Sequence, residues 1–284
     1  MGYRLLALDV DGTLLDSAGV LRPRVRAAVR AAAAAGCTVA IATGRRYHAA
    51  VEIAEALGVD APLILHNGAV VQRAQSGEVL AESPLALPAA HAAAAIMAAS
   101  GAQVVAFPPP RLGDVVLAGP ADLDGELAAL YLADCGLRVH RRPVEALFDG
   151  VGPLTIVAMD SESRLDGVAA ALAPRQDCRI TCNTFPLWGR QFHVLDVLAP
   201  ETSKAAAVTA LAARLGVPIA ATVAIGDHWN DVEMLEAVGL GIAMGNAPAG
   251  VRARADLVTG TCDEDGVAQA LEALSFGPSG GGTG

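Results

Sequence analysis

The sequence predicts an α/β protein: a Rossmann-like, doubly wound parallel sheet interrupted by an inserted α+β domain. Three observations predict it. Short apolar runs alternate with Ala-rich helical patterns through the first 80 residues. The alternation breaks down over 86–188, where a proline cluster and less regular strands intervene. It then resumes and continues to a final helical pattern over 265–274. Short buried strands spaced by helices are the signature of a parallel sheet covered on both faces.

Leu5-Leu6-Ala7-Leu8 is the first strand and ends in a polar turn at Asp9. A helix follows over 22–35, with Pro23 near its start and Gly36 just past its end. The next strand covers 38–42, and a helix over 46–57 is closed by Gly58. A third strand, Leu63-Ile64-Leu65, runs into His66-Asn67-Gly68. In the middle region strands are expected over 114–118 and 155–159, among two or three Ala-rich helices. After it, strands are expected over 192–198, 222–225, 240–244 and 256–259, and helices over 203–215 and 229–238. The expected division is a discontinuous core of 1–85 and 189–276, an inserted domain of 86–188, and a Gly/Ser-rich disordered tail of 277–284.

In an open parallel sheet, functional groups collect beyond the carboxyl ends of the strands. Asp9, Thr43 and Asp227 all follow expected strands there. Asp9-Val10-Asp11-Gly12-Thr13 places two carboxylates two residues apart. One can attack phosphorus while the other handles the leaving group's proton. An Asx turn is the competing reading. A calcium loop fails, because its sixth and twelfth positions here are Leu14 and Val20 rather than Gly and Glu. Asp227 and Asp231 stand four apart at the start of a helical pattern, as metal-site carboxylates or as simple helix caps. Thr43-Gly44 before a helix is either a phosphate cradle or an N-cap.

The charge pattern narrows the partners. Net charge is −10 and no basic stripe is present, which argues against nucleic acid and anionic membranes. No apolar run reaches the roughly 18 residues of a membrane helix. The N-terminus lacks a signal-peptide pattern, so a cytoplasmic protein is expected. The five cysteines are irregularly spaced and read as reduced thiols. Of 20 basic residues, 19 are arginine, and the one lysine is Lys204. A compact ammonium suits a tight site where a planar guanidinium does not.

The set Asp9-Val10-Asp11-Gly12-Thr13-Leu14, Thr43-Gly44-Arg45, Lys204 and Gly226-Asp227 with Asn230-Asp231 resembles the four motifs of the haloacid dehalogenase-like hydrolases. His66-Asn67-Gly68-Ala69, Ala243-Met244-Gly245-Asn246-Ala247 and Asp263-Glu264-Asp265-Gly266-Val267 resemble segments of its Cof-type branch, which carries a large α/β cap. The resemblance implies a Mg2+-dependent phosphatase acting on small phosphorylated metabolites, sugar phosphates first. It implies that Asp9 is nucleophile and metal ligand, and that Asp11 is general acid/base and lends a main-chain oxygen to the metal. Thr43, Gly44, Lys204 and Asn230 would bind phosphate, Asp227 would complete the metal site, and Asp231 would support it from behind. Ala205 stands where the family often has Gly. The alternatives are a phosphomutase on the same scaffold and a non-catalytic phosphometabolite-binding protein. Trp188 and Arg190 could face the leaving group or anchor a hinge.

Overall fold

The computed structural model describes residues 2–113, 115–123, 125–134, 136–187 and 190–277. The chain forms two compact units, residues 1–81 with 203–284, and residues 82–202.

The first unit opens with β1 (Leu5–Leu8), α1 (Pro23–Ala34), β2 (Thr38–Ala42), α2 (Tyr47–Leu57) and β3 (Pro62–Leu65), followed by β4 (Val70–Arg73) and β5 (Val79–Glu82). The second unit holds α3 (Leu87–Ala99), β6 (Val105–Phe107), β7 (Val115–Ala118), α4 (Glu126–Asp134), β8 (Arg138–Arg141), β9 (Thr155–Asp160), α5 (Glu162–Leu172), β10 (Arg179–Leu187) and β11 (Arg190–Leu198). The chain then returns to the first unit through α6 (Lys204–Arg214), β12 (Thr222–Gly226), α7 (Val232–Ala237), β13 (Leu240–Ala243), α8 (Ala249–Arg252), β14 (Leu257–Val258) and α9 (Gly266–Glu272).

The first sheet runs β14-β13-β12-β1-β2-β3-β4-β5. Its pairings from β14 to β3 are parallel, and β4 turns back antiparallel on β3. β1 lies between β2 and the much later β12, so strand order reverses at β1 and opens a crevice beyond its carboxyl end. Alternation along β1 decides what faces what. Leu5 and Ala7 pack with Val208 and Leu211 of α6 and with Met234 and Leu235 of α7. Asp9 has the same parity, so its side chain leaves the strand on the α6 side.

The second sheet runs β10-β11-β9-β6-β7-β8. Leu195, Ile156 and Ala106 face α3 and α5, whereas Val194, Val157 and Val105 face the opposite way, towards Ala128 and Leu132 of α4. This architecture corrects one expectation. The strand read over 192–198 does not rejoin the first sheet. As β11 it pairs antiparallel with β10 and β9, so the return to the first unit falls at Ser203 rather than at 189. A central antiparallel strand buried on both faces is as continuously apolar as a parallel one, so its composition could not assign it to a sheet. The expected disordered tail beyond 277 and the residues Asp114, Cys135 and Trp188 lie outside the described residues, as does the side chain of Arg190. The described cysteines, Cys37, Cys178, Cys182 and Cys262, are free thiols. No described helix is long and apolar enough to cross a membrane.

The second sheet carries a buried carboxyl. Asp196 on β11 accepts a 3.4 Å hydrogen bond from Thr155 Oγ1, and burial pushes it from the usual 3.8 to about 7. Below pH 3.8 it is neutral in both folded and unfolded chains. Between 3.8 and about 7 only the unfolded chain ionises, so its contribution to stability declines as pH rises. Asp196→Asn is therefore expected to raise the melting temperature at pH 8 by several degrees and to change little at pH 4. Thermal melts at the two pH values check it; an equal effect at both rejects the titration.

Candidate active site

The crevice beyond β1 gathers residues from six segments. Asp9 follows β1, and its N–H donates to Ile225 O at 3.0 Å, which ties it to β12. Lys204 is the first residue of α6. Ser203 caps that helix by accepting from the Ala206 N–H at 3.1 Å. Lys204, Ala207, Val208 and Leu211 share one buried face at helical spacing. The ammonium is thus carried into the crevice on an apolar stripe, and Lys204 is only 1% exposed.

Lys204 Nζ donates to Asp9 Oδ1 at 2.6 Å and to Asp231 Oδ1 at 2.7 Å. Asp231 is fully buried, and its Oδ2 accepts from the N–H groups of Asp227 at 3.0 Å and His228 at 2.9 Å. One oxygen thus holds the Lys204 ammonium, and the other braces the loop after β12. Gly226 permits this approach: a Cβ there would lie 2.6 Å from Asp231 Cγ. Asp227 accepts from Thr13 Oγ1 at 2.9 Å on Oδ1 and from Asn246 Nδ2 at 3.3 Å on Oδ2.

Asp9, Asp227 and Asp231 can each offer an oxygen within 4.8 Å of the others. One ammonium, bonded to Asp9 and Asp231, thus serves a cluster of three carboxylates. Burial raises Asp9 well above the usual carboxylate range; Lys204 opposes this, while Asp231, Asp227 and Asp11 add to it. Burial likewise pushes Asp227 up to about 7, with Asp231 next in effect. Burial alone would discharge Lys204, but Asp231 and Asp9 outweigh it and raise its pKa. The excess negative charge and all-oxygen donor set fit a hard divalent cation. Asp9 has one oxygen that Lys204 does not engage, and each oxygen of Asp227 accepts a single hydrogen bond and keeps a lone pair, whereas Asp231 Oδ2 is filled by two.

The other expected residues are placed as follows. Thr43 and Gly44 follow β2; Thr43 is buried, and its Oγ1 accepts from the Arg45 N–H at 3.1 Å. Asn230 Nδ2 donates to Asn67 Oδ1 at 3.0 Å. Asp11 is not part of the carboxylate cluster: both its oxygens accept from Arg45, at 2.6 Å from Nη2 and 2.9 Å from Nε. Sequence reasoning overlooked Asn67 and Asn246. The latter also donates to Gly12 O at 2.9 Å and accepts from the Cys262 N–H at 2.9 Å. Their only signal was membership of the Cof-like segments.

Fold and cluster together describe an α/β enzyme with a carboxylate centre at its topological switch point. A sequence model of the haloacid dehalogenase-like hydrolases matches residues 6–111 and 143–271, and the chain belongs to that family. It is 29% identical to phosphatase YwpJ of Bacillus subtilis, covering 95% of this chain and 99% of that protein. It is also 29% identical to pyridoxal phosphate phosphatase YbhA of Escherichia coli, over 95% and 97%. A solved haloacid dehalogenase-like hydrolase from B. subtilis superimposes with a TM-score of 0.78 at 25% identity, over 95% and 99%. The chain is accordingly an enzyme, a hydrolase acting on phosphate esters.

Proposed function

We propose that the protein is a Mg2+-dependent phosphatase that hydrolyses small phosphate monoesters through an aspartyl-phosphate on Asp9, acting in the cytoplasm. The observation that carries this reading is Lys204, bridging Asp9 and Asp231 beside Asp227. Asp9 and Asp227, with the main-chain oxygen of Asp11, would hold the cation. When bound, it supplies positive charge that offsets repulsion between the anionic nucleophile and a phosphate dianion.

In the first step an oxygen of Asp9 forms a bond to phosphorus as the bond to the leaving alkoxide breaks. Asp11, released from Arg45, gives that alkoxide its proton. In the second step Asp11 takes a proton from water, whose oxygen attacks phosphorus and displaces the Asp9 carboxylate. Lys204 holds Asp9 in line throughout, while Thr43, Gly44 and Asn230 receive the phosphoryl oxygens. Uncatalysed hydrolysis of monoesters is so slow that positioning and charge must supply most of the acceleration. The second unit is assigned as the cap that selects the leaving group. The names of the two phosphatase relatives support hydrolysis over phosphoryl return to a sugar. Pyridoxal phosphate, after the E. coli relative, and sugar phosphates, after the family resemblance, are the first test substrates.

Phosphate release from a panel of monoesters tests the reading. EDTA is expected to stop turnover and added Mg2+ to restore it. Turnover indifferent to chelation rejects the cation, and absence of phosphate release across the panel rejects the phosphatase.

A further inference from the structure

The turn after β3 is strained. His66, Asn67 and Gly68 have φ of 48°, 55° and 104°, all in the left-handed region. Only one other described non-glycine residue, Asp265, has a positive φ. Strain of this kind persists where the surroundings demand it, and it gathers at functional sites. Three contacts show what the turn touches. The Asn67 N–H donates to Thr43 O at 3.1 Å, and the His66 N–H donates to Arg45 O at 3.2 Å. A Cβ on Gly68 would lie 2.3 Å from Ser203 O, against the start of the Lys204 helix.

The side chain of Asn67 is 2% exposed. Its Oδ1 takes one hydrogen of Asn230 Nδ2 and lies 3.2 Å from where a Cβ on Gly44 would stand. That bond fixes the plane of the Asn230 carboxamide and leaves its second hydrogen for another acceptor. Glycine would satisfy a φ of 55° with less strain than asparagine does. A strained, buried Asn in place of Gly indicates that the carboxamide itself is needed.

We propose that Asn67 is a positioning residue for the transferred phosphoryl group, orienting Asn230 and buttressing the Thr43-Gly44 loop so that both meet the same anion. The assignment rests on the phosphatase reading. Asn67 is not expected to touch the reacting atoms; it acts through Asn230 and Gly44.

The test compares Asn67→Gly and Asn67→Asp with the wild-type full chain in Mg2+, using inorganic phosphate as a competitive inhibitor. Glycine suits the backbone at this position, which offsets part of the loss of a buried side chain, so Asn67→Gly is expected to fold with a modestly lower melting temperature. Its KM and its phosphate inhibition constant should rise roughly tenfold, from loss of a well-aimed hydrogen bond to a charged group. Asn67→Asp keeps the volume and an acceptor for Asn230 but adds a negative charge beside the anion. It should weaken phosphate inhibition more than Asn67→Gly does. A backbone role predicts wild-type constants for Asn67→Gly, and a packing role predicts a near wild-type Asn67→Asp; either overturns the assignment. A wild-type protein that neither releases phosphate nor is inhibited by it would instead reject the phosphatase reading, and this assignment with it.

Discussion

Asp9→Asn is expected to lower the rate of phosphate release by about 10^4-fold or more, the scale seen when a covalent nucleophile is removed. The amide has the size of the carboxylate, so packing around it is preserved. Its oxygen is uncharged and too weak a nucleophile to attack phosphorus. Stability should not fall with activity. The Asp9 carboxylate is disfavoured in its charged form by burial and by Asp231, Asp227 and Asp11. Neutralising it removes that penalty, and Lys204 keeps Asp231 as a partner at 2.7 Å. The cation-free Asp9→Asn protein is therefore expected to melt no lower than wild type. Single-turnover assays with labelled monoester should show no phosphoprotein in the variant and a transient one in wild type. An Asp9→Asn protein with near wild-type turnover would show that another group attacks phosphorus.

The location of this centre was legible because its signals are local. An apolar run ending in Asp9, a Thr43-Gly44 turn before a helix, and an Asp227-to-Asp231 spacing are each contained within a few residues. Lys204 was legible for a different reason, as the sole lysine among arginines. What escaped was relational. Asn67 and Asn230 are 163 positions apart, and nothing in either segment announces a carboxamide bridge. Arg45 could be seen next to Thr43-Gly44, but its bidentate grip on Asp11 depends on how two strand ends are juxtaposed. The hairpin of β4 and β5 went unread because its strands are four residues each, and β5 is largely exposed. The misassigned strand over 192–198 has a different cause: hydrophobicity reports burial, while sheet membership is set by partners far away in sequence.

Lys204→Arg is expected to reduce kcat/KM by roughly 100-fold or more, although the charge is formally retained. The ammonium meets two carboxylate oxygens at 2.6 and 2.7 Å inside a site that leaves Lys204 1% exposed. A guanidinium is wider and planar, and its donors diverge as a fork. Seating it would push Asp9 from its line of attack or displace Asp231 from the N–H groups it braces. Overpacking of this kind costs about 1–3 kcal/mol, which should appear as a lower melting temperature. Lys204→Met separates charge from shape. It fits the channel but leaves Asp9 and Asp231 without their cation, and breaking a buried pair costs about 3–5 kcal/mol. The cation-free Lys204→Met protein should therefore be the less stable of the two at pH 8. It should recover part of the loss when the carboxylates protonate at lower pH, or when Mg2+ is added. Thermal melts across pH, with and without Mg2+, read both effects. Near-normal kinetics for Lys204→Arg would mean that the site accepts any cation there, and that the lone lysine in an arginine-rich chain has no chemical cause.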